Sequence, residues 1–167
     1  MANELLVKQG TDKVWKNSGG DYAITLAGLA VDAGRCGVKG DLGATFARRY
    51  AVTLEVNMDV APTAGRCLEL YWAASRDNTT FPGGATGTDA AYKAGEVDEW
   101  KRQLGRPIGC LSLTADADGT VQTQVFAPFT PPTRYGCPVL INKADQALEG
   151  DEDSHKITFT PLIDESQ

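Results

Sequence analysis

The clearest pattern in the chain is a strict alternation of apolar and polar residues over positions 52–60. The apolar members are Val52, Leu54, Val56, Met58 and Val60. Successive side chains of a β-strand point to opposite faces, so this spacing places every apolar side chain of the run on one face. The alternation therefore predicts a half-buried β-strand, which ends before the turn residues that start at Pro62.

A second alternating run follows at 68–72. Leu68, Leu70 and Trp72 alternate there with Glu69 and Tyr71. The two runs are joined by the turn-rich residues 61–65, which is typical of antiparallel strands that follow each other along the chain. We therefore expect the two strands to be antiparallel neighbours in one sheet, with one face turned to solvent.

Shorter runs of the same character occur along the rest of the chain. Runs 108–114 and 120–126 flank residues 115–119, where Asp118-Gly119 is a strong signal for a hairpin. The remaining candidate strands lie at 5–8, 13–15, 22–26, 138–141 and 156–163. Together with 18 Gly and 8 Pro, which interrupt helices and mark turns, these runs predict an all-β chain of about eight strands.

The expected architecture is an antiparallel β-sandwich with jelly-roll-like connections and long loops, rather than a closed barrel. The 167 residues match the usual size of one domain, so we expect a single domain over 1–167, with residues 1–20 as an extended arm or an edge strand. Within residues 89–104, Val97, Trp100 and Leu104 follow helical spacing, but Gly95 interrupts the segment. A short helix and a loop leading into a bent strand both remain open.

Charge limits the classes of partner. The net charge is −6 and the sequence contains no basic run longer than a pair. Proteins that bind nucleic acid or anionic membranes rely on clusters of Lys and Arg, so we expect neither partner. The first residues lack the basic and apolar segments of a signal peptide, and no run approaches a membrane span. We therefore expect the protein to fold in a cytoplasm.

The cysteines are widely spaced and form no C-x-x-C pair. They are Cys36, Cys67, Cys110 and Cys137. An even number is compatible with two disulfides in an exported protein, but no feature of the sequence points to export. We favour free thiols, and we expect Cys67 and Cys110 to be buried because apolar strand residues adjoin them.

No catalytic constellation stands out. His155 is the one histidine, no Gly-x-Ser-x-Gly elbow occurs, and we expect His155 to be a solvated residue at the start of a strand. Residues 116–119 resemble a fragment of a calcium loop but lack its later acidic ligands, so a hairpin turn is favoured. The acidic run 149–153 is typical of a solvated loop. We expect no enzyme activity, cofactor or metal.

Five segments form a recognisable set: LELYWAAS at 68–75, PGG at 82–84, GTDAAY at 87–92, PPTRYG at 131–136 and TPLIDE at 160–165. Together they resemble small virion structural proteins of tailed bacteriophages, over most of the chain from Gly34 onward. The resemblance implies a capsid decoration, or cement, protein, assembled in the host cytoplasm and located on the capsid surface. It would bind the major capsid protein, stabilise the shell, and associate with itself as a dimer or trimer.

Aromatic residues in the connections are the candidate interface residues, because binding interfaces are enriched in large aromatic side chains. Trp15, Phe81, Trp100 and Tyr135 lie in or beside connections. Each ring either protrudes as an anchor or folds back over the end of the sandwich. Two other functions remain open: a tail or fibre component whose sandwich binds carbohydrate, and a hydrolase that uses an unrecognised pair of carboxylates.

Overall fold

The computed structural model describes residues 5–115 and 120–166, and within them it contains twelve β-strands. The strands are β1 (Leu5–Gln9), β2 (Lys13–Lys16), β3 (Tyr22–Ala23), β4 (Gly34–Cys36), β5 (Gly40–Asp41), β6 (Arg49–Val56), β7 (Cys67–Ser75), β8 (Ala90–Tyr92), β9 (Gly109–Ser112), β10 (Gln122–Phe129), β11 (Tyr135–Lys143) and β12 (Lys156–Ser166). The helical segments are α1 (Val97–Trp100) and the 3-10 turns Pro82–Gly84, Lys101–Leu104 and Glu152–Ser154. The all-β prediction is confirmed. The strand count exceeds eight because β4, β5 and β8 have only two or three residues, too few to show an alternation.

The strands form two sheets of six, packed face to face as a β-sandwich. The first sheet has the order β10-β6-β12-β2-β3, and β1 also pairs with β12. The second sheet has the order β8-β4-β11-β7-β9, and β5 also pairs with β11. Every pairing is antiparallel except that between β2 and β3. The jelly-roll-like order of connections stays a prediction.

The hydrophobic core lies between the two sheets. In β6 every second residue is buried, and Val52, Leu54 and Val56 are all fully inaccessible to solvent. Leu68, Leu70 and Trp72 of β7 meet them from the second sheet. The period-two pattern of both strands therefore works as the sequence predicts, because one face of each strand fills the space between the sheets.

The outer face of the second sheet is covered by the chain itself. Residues 76–108, here called the covering segment, connect β7 to β9 and pack Ala85, Val97 and Leu104 against this face. The resulting second apolar cluster comprises Cys36, Tyr71, Ala73, Ala85, Tyr92, Val97, Leu104, Cys137, Val139 and Ile141. As a consequence β11 lies between two apolar layers, and all its residues except the two terminal ones are buried.

Ion pairs attach the covering segment to the sheet below it. The Lys101 Nζ lies 2.8 Å from a carboxylate oxygen of Glu69 in β7 and 3.0 Å from one of Asp98. The Lys143 Nζ in β11 lies 2.8 Å from Asp98. Hydrogen bonds from both lysines lower the pKa of Asp98. These contacts connect the helical turn to two strands of the second sheet.

Two predicted pairings are wrong. The strands β6 and β7 are not neighbours in one sheet, because they belong to opposite sheets and face each other across the core. The strands β9 and β10 do not form a hairpin, because β9 pairs with β7 and β10 pairs with β6. Gln122 instead joins them through side-chain hydrogen bonds with the backbone N–H and C=O of Thr114. The turn residues 116–119, with their calcium-like fragment, lie outside the described residues.

Three residues depart from their predicted environments. The alternation of β6 ends at Val56, and Val60 is 52% exposed instead of sharing the buried face. Tyr71 is not on a solvated face, because the covering segment buries it. Cys110 is exposed, so the expectation of a buried thiol is wrong there; it stands on the outer face of β9, beside the inward-pointing Leu111. All four cysteines are free thiols in this structure.

Residues 89–104 contain a short helix rather than a loop alone. Helix α1 occupies Val97–Trp100 and continues as the 3-10 turn Lys101–Leu104, with β8 earlier in the segment. Val97 and Leu104 form the buried side of these two turns. Gly95, with φ of 82°, ends the preceding extended chain and allows the reversal into the helix.

Candidate protein-interaction site

The most unusual feature of the surface is a two-stranded ribbon formed by the two ends of the chain. Strand β1 pairs with residues 162–166 of β12, from Gln9 opposite Leu162 to Leu5 opposite Ser166. On its other side β12 pairs with β6 only as far as Leu162, which lies opposite Arg49. The ribbon, here residues 5–9 and 162–166, therefore continues past the end of β6. Beyond Leu162 its strands pair only with each other among the described residues.

The ribbon exposes apolar side chains on both faces. Leu6 is 42%, Val7 59% and Ile163 44% exposed. Residues directly opposite in an antiparallel pair share a face, so Ile163, opposite Lys8, lies on the same face as Leu6, whereas Val7 lies on the other face. The polar residues Lys8, Gln9, Asp164 and Glu165 are exposed as well. None of these three apolar residues belongs to either apolar cluster of the described chain.

A cleft of about 570 Å³ lies at the base of the ribbon. Its apolar wall comes from Leu42, Phe46 and Tyr50, and its charged groups are Lys13, Arg48 and Asp164. The Asp164 carboxylate also accepts a 2.6 Å hydrogen bond from the Arg49 guanidinium, at the point where β6 and β12 separate. The cleft thus combines an apolar wall with charged groups of both signs, a composition that suits the binding of a segment of another protein.

Gly10 sets the geometry where the ribbon joins the sheet. Its N–H donates a 2.8 Å hydrogen bond to the carbonyl of Pro161. A Cβ at this position would lie 3.1 Å from atoms of both Ile163 and Pro161, closer than side chains normally approach. Any other residue here would push the Ile163 and Pro161 side chains aside by a few tenths of an ångström, so glycine favours the close approach of β1 to β12.

The loop that starts at Leu42 and forms one wall of the cleft is held in place by an ion pair. Arg134 donates two 2.6 Å hydrogen bonds to the carboxylate of Asp41, and the Leu42 N–H donates to the carbonyl of Arg134. The Arg134 guanidinium and the N–H of Gly43 lower the pKa of Asp41. The guanidinium also lies over the ring of Tyr135, 4.8 Å from its centroid. Tyr135 is thus half-buried beside this ion pair, and its role as an interface residue stays a prediction.

Trp15 is a core residue, so the expectation that it could protrude is wrong. Its ring is fully buried and contacts the rings of Tyr22, Trp72 and Phe159. Its Nε1–H donates a 2.8 Å hydrogen bond to the carbonyl of Val38. Gly40 leaves the space that the indole occupies, since a Cβ there would overlap the ring. The ring points inward because Trp15 lies opposite the core residue Ile157, and directly opposite residues share a face of the sheet.

Phe81 and Trp100 each pack half-buried against the second apolar cluster. The ring of Trp100 lies under the Lys93 ammonium, 3.9 Å from the nitrogen, and its Nε1–H donates to Glu96. Their exposed edges belong to the covering segment, away from the ribbon. Their role as interface residues stays a prediction.

His155 is buried, which contradicts the expectation of a solvated residue. It is 2% exposed; its Nδ1 accepts from the Asn57 N–H, and its Nε2–H therefore donates to the Glu149 carbonyl at 2.9 Å. Burial lowers its pKa. Both ring nitrogens are occupied by backbone groups, so the imidazole joins loop 149–155 to the end of β6. The described residues contain no cluster of metal-ligating side chains.

The sequence predicts the two strands of the ribbon but not the ribbon itself. Runs 5–8 and 156–163 are both confirmed as strands. Their pairing joins opposite ends of the chain, and no turn signal can indicate such a contact. The one local signal is that the pattern in 162–166 loses its buried members, because polar residues follow Ile163.

Comparison with known proteins gives no relative: no family model, no curated protein and no solved structure matches the chain. Among the described residues, no helix is long and apolar enough to cross a membrane.

Proposed function

We propose that this protein is a capsid decoration protein of a tailed bacteriophage, which docks on the shell of major capsid protein through the ribbon and the cleft at its base. The observation that carries this proposal is the ribbon: a strand pair with two open edges and apolar residues on both faces. The expected consequence of docking is a shell that resists heat and disruption better.

The stability of the ribbon supports a docking role. An isolated two-stranded ribbon is marginally stable in water, because it buries little apolar area against the entropy of ordering its backbone. Leu6, Val7 and Ile163 gain little from folding in the free protein, since each stays between 42% and 59% exposed. A partner that covers these residues supplies the missing burial, at roughly 25 cal/mol per Å² of apolar surface.

The open edges of the ribbon suit recognition of another chain. β-strand addition uses the free N–H and C=O groups of an edge for affinity and neighbouring pockets for specificity. The outer edge of β1 has no partner strand among the described residues. The cleft beside it, with the apolar wall of Leu42 and Phe46, is the pocket that could receive a side chain from the partner.

The rest of the molecule is compatible with a rigid surface protein. Two apolar clusters fix the second sheet on both faces, so the sandwich can hold the ribbon in a defined position. The resemblance of segments 68–75, 82–84, 87–92, 131–136 and 160–165 to phage virion proteins supports the particular setting. The open β1 edge also suits self-association, and we expect a dimer or trimer.

The test is binding of purified protein to undecorated shells assembled from major capsid protein. Val7→Asp places a charge on the ribbon, and Val60→Asp is the matched control, because Val60 is similarly exposed at the opposite end of β6. We expect Val7→Asp to weaken binding at least about 30-fold, the effect of losing a hot spot of about 2 kcal/mol, and Val60→Asp to bind as wild type. Thermal melting of both free variants should match wild type.

Three outcomes would contradict the proposal in distinct ways. Equal binding by Val7→Asp and wild type, with loss of binding by Trp100→Ala, would move the interface to the covering segment. Absence of binding to any shell, together with saturable binding to a glycan, would favour a carbohydrate-binding tail or fibre component. Binding to duplex DNA would contradict the expectation drawn from the net charge of −6.

A further inference from the structure

All four cysteines of the chain lie on one face of one sheet, as two pairs. Cys36 of β4 and Cys137 of β11 belong to the apolar cluster on the outer face of the second sheet. Cys67 of β7 and Cys110 of β9 point to the same side, because their neighbours Leu68 and Leu111 point into the core between the sheets. In the sequence the members of each pair are far apart, so only the fold reveals the pairing.

Each pair joins two hydrogen-bonded neighbouring strands. Cys36 lies opposite Val139, which places Cys137 two residues along β11 on the same face. Likewise Cys67 lies opposite Ser112, which places Cys110 two residues along β9 on the same face. The two pairs therefore share one arrangement, a diagonal contact across an antiparallel strand pair.

The sulfur atoms of the buried pair are already in contact. The Sγ atoms of Cys36 and Cys137 are 3.4 Å apart, and the two residues are 1% and 0% exposed. A disulfide bond is about 2.05 Å long, so closing it shortens this distance by about 1.4 Å, 3.4 minus 2.05. Rotation of the two side chains by a fraction of a rotamer change supplies such a shift.

The two pairs differ in reactivity and access. The hydrogen bond shared with Cys137, followed by contacts with the backbone of Thr86 and Gly87, lowers the pKa of Cys36. The thiolate is the nucleophile in disulfide exchange, so the lowered pKa favours Cys36 as the attacking thiol of its pair, although its side chain is covered. Partial burial of its sulfur atom, in a residue that is otherwise exposed, raises the pKa of Cys110 to about 11, followed by the effect of the adjacent Cys67. That thiol is open to solvent but mostly protonated.

We propose that these are two modification sites, at which a low-molecular-weight disulfide such as oxidised glutathione converts each cysteine pair into an intramolecular disulfide. One protein thiolate attacks a sulfur of oxidised glutathione, which breaks its S–S bond and releases one glutathione thiolate. The second cysteine then attacks the mixed disulfide and expels the second glutathione. Two electrons pass from each pair to the oxidant, and the two thiol protons end on two molecules of glutathione.

The consequence is a covalent frame on the covered sheet. The bridges connect β4 to β11 and β7 to β9, and β11 already pairs with β7 over nine residues. Four adjacent strands then resist separation. The loop closed between Cys36 and Cys137 spans 101 positions, and long closed loops restrict the unfolded chain most. This chemistry is independent of the ribbon and of any partner.

The test compares native protein incubated with reduced or with oxidised glutathione, alkylated and mapped by mass spectrometry. We expect linked peptides joining Cys67 to Cys110 and Cys36 to Cys137, loss of two thiols per bridge, and a melting temperature raised by roughly 5–10 °C. Cys67→Ser/Cys110→Ser should retain the buried bridge alone, and Cys36→Ser/Cys137→Ser the exposed bridge alone. Mapping of the wild type tests both sites even where a variant fails to fold.

Specific results would overturn the inference. Stable glutathione adducts without internal bridges would show that the paired sulfurs do not reach each other. Four thiols that stay free in oxidised glutathione would show that neither pair is a modification site. Bridges that link Cys36 or Cys137 to Cys67 or Cys110 would contradict the pairing, and a bridge at one site alone would overturn the proposal for the other site.

Discussion

The outer faces of the two sheets differ in what covers them. The second sheet is covered by its own chain: residues 76–108 bring Val97 and Leu104 onto it and are fixed there by Lys101 and Lys143. The first sheet has no such cover among the described residues, and Val125 on its outer face is 62% exposed. The ribbon extends this uncovered sheet beyond the sandwich.

This difference separates the residues that stabilise the fold from those that are available to bind a partner. Apolar side chains on the covered sheet are used within the molecule, so they stabilise the fold and leave little for a partner. The uncovered sheet keeps open edges and apolar groups at the surface, where they contribute little to folding. We therefore expect substitutions on the covered side to change the free energy of unfolding and substitutions on the ribbon to change binding.

The largest effect is expected at the core positions beneath the uncovered face. Leu54→Asp buries an unpaired charge and should cost several kcal/mol or prevent folding. Glu55→Ala, one residue on, removes only a surface ion pair with Lys156 and should cost less than about 1 kcal/mol. Urea unfolding of both variants measures the contrast. Similar losses would mean that β6 does not have one buried and one open face.

The covered and uncovered outer faces can be compared directly with a pair of truncations. Leu104→Ala truncates a residue of the covering segment that is 8% exposed and packs on the sheet, so it should cost about 2–5 kcal/mol of unfolding free energy. Val125→Ala on the first sheet should cost less than about 0.5 kcal/mol, because its side chain is mostly in water. If Leu104→Ala were as mild as Val125→Ala in chemical denaturation, the covering segment would not be a stabilising layer.

A smaller loss is expected at Asn57, which the alternating pattern alone would place among tolerant surface positions. The residue is 3% exposed; its amide donates to Glu149, and its Oδ1 accepts from the Met58 N–H at 2.9 Å. Asn57→Ala leaves these groups unpaired and should cost about 1–3 kcal/mol. Thr123→Ala, exposed on β10, is the control for thermal melting. An unchanged melting temperature in Asn57→Ala would show that the contact between Asn57 and loop 149–155 contributes nothing to stability.

The smallest effect is a dependence of stability on pH. Burial holds the pKa of His155 below its ordinary value of 6.5, so the unfolded chain takes up a proton first as the pH falls. The stabilisation is complete above about pH 6.5 and is lost as the pH falls from there through the lower pKa of the folded state. Protonation of Nδ1 would also break its hydrogen bond with Asn57. His155→Gln should flatten the melting temperature between pH 7 and 5; an unchanged profile would assign the effect to carboxylates.

How much the sequence predicts depends on whether the information is local. The period-two runs identify β6 and β7, since a strand with one buried face must alternate. They cannot tell whether two such strands share a sheet or face each other, because both arrangements bury the same residues. The Asp118-Gly119 signal misled for the same reason: a hairpin signal in the sequence is local, whereas tertiary packing places β9 and β10 in different sheets.

The candidate site was less accessible to sequence reasoning than the fold. Trp15 lies next to a glycine-rich connection, which suggested an exposed ring, but the space left at Gly40 admits it to the core. The continuous apolar run 138–141 was a usable signal of a strand buried on both faces, and hence of the covering segment. The ribbon joins residues at opposite ends of the chain, and no local pattern carries that contact.

Hydrogen–deuterium exchange with and without bound shells tests the docking account most directly. If the ribbon docks on the shell, amides of residues 5–9 and 163–166 should exchange rapidly in the free protein, because the ribbon is marginally stable alone, and become strongly protected on the shell. Amides of α1 and of β11 should exchange equally slowly in both states. Unchanged exchange in the ribbon, with new protection in residues 76–108, would contradict the account and place the interface on the covered face.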